Sequence, residues 1–153
     1  MLREMLLGTA AGAVGTVALN AATYADMAVR ARPPSSVPAE VAGQLAERAG
    51  VDLSDEETAQ NRKSALGALS GFAVGLGVGT AYGLVRPHLG DVSKPLAGTV
   101  LGIAAMAGSD VPATRLGVTD PSEWSPDSWV SDIVPHLAYG LTTALAYDFL
   151  ADV

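Results

Sequence analysis

The apolar residues of this chain gather in long blocks instead of alternating with polar ones, a pattern of buried or membrane-embedded helices rather than strands. The first block, residues 5–25, is long enough to cross a hydrocarbon core about 30 Å thick. It lies in a helix predicted over residues 2–29, with Asn20 and Asp26 interrupting its far end. Arg3 ahead of an apolar run imitates a secretory leader, but the run is long for one and Glu4 spoils its basic start. Residues 30–38, RARPPSSVP, form a break, because the tandem Pro33 and Pro34 cannot continue a helix. Residues 38–49 then read as a short amphipathic helix with Val41, Ala42, Leu45 and Ala49 on one face and Gly50 as its stop.

The next helix is predicted over residues 55–86, opened by a capping box with Ser54 as N-cap and Glu57 three residues on. At 1.5 Å per residue it runs about 48 Å, more than a bilayer core. Its first turns, with Asn61, Arg62 and Lys63, are therefore expected in water. A helix over residues 92–108 has a purely apolar part from 95 to 108, short for a span, which leaves a re-entrant segment open. An acidic connection holding Trp124 and Trp129 follows, and indoles favour the membrane–water interface. The last helix is predicted over residues 132–150, with Pro135 tolerated in its first turn.

Glycine placement sharpens this outline. Gly67, Gly71, Gly75, Gly79 and Gly83 recur every fourth residue, a glycine-zipper stripe along one helix. Each glycine costs a water-exposed helix about 1 kcal/mol, whereas in a bilayer the backbone must bond to itself and small faces allow close helix approach. Gly8 and Gly12, Gly98 and Gly102, and Gly140 give the other helices similar faces. The stripe fits packing within one bundle, a homo-oligomeric seam, or, least well, a pore lining, since glycine offers no coordinating side chain.

Composition agrees with a membrane setting. Hydrophobic residues make up 49% of the 153 and charged residues 16%, well under the roughly 25% of a soluble domain. The mean hydropathy is +0.31. A net charge of −7 without any basic cluster argues against nucleic acid as a partner. The absence of cysteine rules out disulfides and thiol chemistry, and two histidines are too few for a His-rich metal centre. The chain carries no P-loop, dinucleotide fingerprint, HExxH or nucleophile–base pattern, so neither an enzyme nor a cofactor is expected. The connection between the first two spans holds Arg30, Arg32, Arg48, Arg62 and Lys63, and the one before the last helix adds Arg115. The other side has Arg3, Arg86 and Lys94, so the positive-inside rule puts the first connection in the cytoplasm and both termini outside.

Candidate chemistry is confined to a few polar groups. Asp26, Asp110, Asp132, His136 and Asp148 are the ionisable residues near the apolar blocks. The four aspartates fall near predicted span ends, and Asp110 and Asp132 double as helix-terminus residues. His136 lies four residues after Asp132, a spacing that suits a hydrogen-bonded or proton-responsive pair more than a metal site. Asn20, the deepest polar side chain of the first helix, is expected to bond across to a partner helix.

The segments ARPPSSVP at 31–38, NRKSALGALSGFAVGLGVGTAYGLVR at 61–86 and DIVPHLAYGL at 132–141 resemble the YagU-like small membrane proteins of bacteria. Those proteins share a glycine-rich span and a late His-x-x-Tyr-Gly helix, here His136, Tyr139 and Gly140. The resemblance implies a multi-pass protein of the inner membrane and no known reaction. The sequence thus predicts one all-α unit over 1–153: about four membrane helices, with an interfacial amphipathic helix between the first two. The expected role is a non-enzymatic accessory or structural subunit, contacting lipid and either a second copy or a larger membrane complex. The alternative is a small transporter or proton-linked permeation protein using Asp26, Asp132, His136 and Asp148.

Overall fold

The computed structural model describes residues 1–152, apart from the side chains of Glu56 and Glu57. Every α- or β-type element among the described residues is helical: α1 (Leu2–Arg30), α2 (Val37–Arg48), α3 (Glu56–Val85), α4 (Lys94–Arg115) and α5 (Pro126–Ala151). Short 3₁₀ turns follow α3 at Arg86–His88 and precede α5 at Pro121–Glu123. Three helical stretches, Leu2–Arg30, Thr58–His88 and Lys94–Arg115, are long and apolar enough to cross a membrane. The third reaches 22 residues, longer than the predicted 92–108, so the helix around the short apolar part has the length of a span.

Two boundaries moved for identifiable reasons. Residue Pro112 falls inside α4. Proline there costs one backbone bond, to the Gly108 carbonyl, and the helix continues to a stop at Gly117. Gly117 takes φ 73°, and the N–H groups of Val118 and Gly117 bond back to the Ala113 and Thr114 carbonyls, both at 3.0 Å. Helix α5 begins at Pro126, not near Asp132, because Ser125 caps it by accepting from the Ser128 N–H at 3.1 Å. Pro135 therefore sits in the helix interior and is buried.

The cap of α3 also differs from the expected box. Asp55 accepts from the Thr58 N–H at 3.1 Å, while Ser54 takes φ 75° outside the helix. The Glu57 side chain lies outside the described residues. In α2 the buried residues are Ala42, Gly43 and Ala46, so it packs by its small face, and Leu45 is turned outward. The Lys63 stem lies across Gly43, so Lys63 is half-buried while Asn61 and Arg62 are exposed as expected.

Helix α1 packs between α3 and α5, α5 packs on α4, and α4 meets α3 over a smaller area. Helix α2 lies along the first turns of α3 and touches α4. Close approach is set by glycine. A Cβ on Gly12 would lie 2.6 Å from the Gly75 carbonyl oxygen, and one on Gly79 only 2.6 Å from the Gly12 Cα. Gly8 and Gly83 meet in the same seam. On the other side of the bundle, Gly98 and Gly102 of α4 face Leu141 and His136 of α5, and Gly140 faces Gly98 and Gly102.

The stripe on α3 does not run straight. Residues four apart advance about 400° on a helix with 3.6 residues per turn, so successive glycines drift about 40°. Gly75, Gly79 and Gly83 meet α1. Gly67 has rotated away and contacts Pro38 and Ala39 at the start of α2. A Cβ on Gly71, between them, would meet nothing within 4 Å among the described residues beyond its own helix.

Candidate functional site

The helical register brings three ionisable side chains together where α4 and α5 face each other. Gly102 of α4 lies against His136 of α5, and this contact aligns the later turns of α4 with the first turns of α5. Asp110 thereby becomes the neighbour of Asp132, one turn ahead of His136. The His136 Nδ1–H donates to the Asp132 carbonyl oxygen at 2.8 Å, and the same nitrogen lies 3.3 Å from Asp132 Oδ1. A proton on Nδ1 leaves Nε2 as the acceptor of the neutral ring. The Ser109 hydroxyl is 3.4 Å from Asp110 Oδ1. The Oδ2 atoms of both aspartates are buried without a hydrogen-bond partner among the described residues.

Paired carboxylates in a site of low polarity cannot both ionise freely, and an adjoining imidazole gives a proton a second resting place. The arrangement can therefore hold a proton shared among these groups. Among the described residues, no group of three or more His, Cys, Asp or Glu is placed to hold a metal ion.

The other sequence candidates lie elsewhere. Asp26 is engaged at the end of α1, where Arg30 donates to it at 2.6 and 2.7 Å and Arg32 bonds it as well. Arg30 also reaches Asp127 at 3.6 Å and Ser131 of α5. Asp148 is at the opposite end of α5, 3.6 Å from Arg86 and 3.7 Å from Lys94. Twelve residues, about 18 Å of helix, separate it from His136. The four residues expected to titrate as one set thus divide into a cluster and two ion-paired ends. Asp110 and Asp132 are not helix-terminus residues, because both helices run past them. Asn20 is half-buried, and its amide bonds to no other helix among the described residues.

Two tyrosines not singled out as site residues tie the bundle together. Tyr139 is fully buried and donates its hydroxyl to the Gly75 carbonyl of α3 at 2.6 Å. Tyr147, two turns on, bonds to Glu4 of α1 and lies 3.4 Å from the Gly83 carbonyl. That carbonyl is available because Pro87, four residues later, has no N–H to give it. Tyr147 also meets the Tyr82 ring edge-on, with centroids 5.2 Å apart. The matching eight-residue spacings, 139 to 147 and 75 to 83, are visible in the sequence. They acquire meaning only once α3 and α5 are known to run parallel.

At the same end of the bundle as the cluster, the connection from α4 to α5 is stiffened locally. Asp120 accepts from the Ser122 N–H and hydroxyl at 2.9 and 2.7 Å, which holds its carboxyl below the usual range. The Trp124 indole N–H donates to the Thr119 hydroxyl at 2.7 Å, and its ring packs on Trp129 with centroids 4.9 Å apart. No family model, curated protein or solved structure matches this chain.

Proposed function

We propose that this chain is a small multi-pass protein of the bacterial inner membrane, acting as a non-enzymatic accessory or structural subunit. The observation that carries the reading is where the glycines go. The seams of α1 with α3 and of α4 with α5 are filled within the chain, so most of its small faces are already used, Gly71 excepted. What remains outside is apolar, including Leu69, Phe72, Val100, Ile103, Leu145 and Phe149, and suits lipid.

The same division supports α5 as a fourth crossing. Its polar residues Tyr139, Thr143 and Tyr147 are buried inside the bundle, while Val134, Leu141, Leu145 and Phe149 are exposed. Average hydropathy counts both faces and so understates such a helix. With four crossings, the distribution of Lys and Arg puts α2 and its flanking segments in the cytoplasm, lying at the membrane surface as the docking face for a larger complex. The YagU-like resemblance fits this reading.

Gentle extraction of the protein from its native membrane, followed by native mass spectrometry, tests it. The expected species is a defined complex with a larger membrane protein. A monomer or homo-oligomer without any partner would sink the accessory-subunit role.

The Asp110–Asp132–His136 cluster favours a second reading, a proton-linked permeation protein. On that reading, liposomes containing the purified chain acidify under an imposed pH gradient, and His136→Ala or Asp132→Asn slows this at least tenfold. Liposomes no leakier than protein-free ones would exclude it.

A further inference from the structure

A groove of about 410 Å³ runs along the outer side of α4 toward the α4–α5 connection. Its walls include Ile103, Met106 and Val111 of α4 and the paired rings of Trp124 and Trp129. Arg115, in the last turn of α4, stands at its outer end. From the geometry we infer that this groove binds one anionic phospholipid, an acyl chain lying along α4 and the phosphate on Arg115.

Three observations converge on that occupant. First, the groove follows a helix long and apolar enough to cross a membrane, so its inner part opens onto hydrocarbon. A peptide there would leave its backbone groups unbonded, whereas an acyl chain has none to satisfy. Second, the indoles set the depth. Tryptophan prefers the headgroup level, and the bond from Trp124 to Thr119 fixes the ring as a wall. Third, the charge is free. Arg3, Arg30, Arg32 and Arg86 each have a carboxylate within 4 Å. Arg115 is exposed and has none among the described residues. A guanidinium matches a phosphate in shape as well as charge.

Acidic groups nearby do not cancel it. Asp110 also borders the groove, but five residues deeper, about 7.5 Å along the axis, with its Oδ2 buried. Glu123 is exposed and does not line the groove. Asp120 is held by Ser122, and Asp127 faces Arg30.

The inference rests on placing the chain in a bilayer, which fractionation of cells into membrane and soluble pools checks separately. It does not depend on any partner protein. The purified full chain in detergent is offered equal amounts of phosphatidylglycerol and phosphatidylcholine of identical chains, and retained lipid is read by native mass spectrometry. One phosphatidylglycerol per chain is expected, preferred by about fivefold, the worth of one basic side chain near an anionic surface. R115Q should bring the preference to about one, R115K should keep most of it, and W129A should reduce retention of both lipids. K94Q, at an exposed basic residue at the opposite end of α4, serves as the control and should leave the preference unchanged. Equal retention of the two lipids by the unaltered chain, or an unchanged preference in a folded R115Q, overturns the proposal.

Discussion

Gly79→Leu is expected to separate α1 from α3 and abolish the folded bundle, while Gly71→Leu, two turns earlier on the same stripe, leaves it standing. A Cβ on Gly79 would lie 2.5 Å from the Gly8 carbonyl oxygen and 2.8 Å from the Gly12 nitrogen. All its close neighbours are backbone, so no side chain can turn aside to make room. Overpacking a well-filled interior costs about 1–3 kcal/mol even where side chains adjust, and a backbone clash exceeds that range. Set against a total stability of about 5–15 kcal/mol, the loss is decisive. Gly71 has open space around it, and a leucine there adds apolar surface facing outward. Thermal melting of the two variants in the same detergent decides the matter. Equal melting temperatures would mean that α1 and α3 do not meet through Gly79.

This contrast marks the limit of reading spacing alone. Five glycines at four-residue intervals announce a helix that must be approached closely, and the existence of every long helix was legible from its apolar block. The division of the stripe among α1, empty space and α2 depends on a drift of about 40° per step, which matters only when partners are placed around it. Helix ends differ where the apolar run stops before the helix does. Proline and aspartate at 110–112 look like a boundary, yet one lost backbone bond does not stop a helix that ends properly at Gly117. At the start of α5, Ser125 followed by Pro126 is itself a strong opening signal, masked by the acidic and aromatic residues around it.

The candidate site was half legible for a related reason. Asp132 and His136 lie four apart on one helix, so their meeting follows from local geometry. Asp110 belongs to another helix, and its place beside Asp132 follows from the seating of Gly98 and Gly102 against α5. Seam and cluster are therefore one structural fact. The glycines that let α4 and α5 approach also bring the two carboxylates together. A bulky residue at Gly102 would disturb the polar cluster without touching any ionisable group.

Tyr139 shows how much of the bundle one side chain can hold, and two substitutions there are expected to separate its contributions. Tyr139→Phe keeps the ring in place and removes only the donor to the Gly75 carbonyl. That carbonyl keeps its role as a backbone acceptor within α3, so the loss is a single interhelical hydrogen bond, about 0.6–1.7 kcal/mol in a membrane protein. Tyr139→Ala also empties the space of a fully buried ring where α1, α3 and α5 meet. Gly15 of α1 sits against that ring and against Thr143, so α1 cannot collapse into the void without dragging α3 with it. By analogy with large-to-small changes at buried aromatic positions, the cost is about 3–5 kcal/mol. The alanine variant should therefore melt far below the phenylalanine variant, which should melt slightly below the unaltered chain. If phenylalanine and alanine prove equally damaging, the hydroxyl and not the ring is the anchor. If both are harmless, α5 does not reach across to α3.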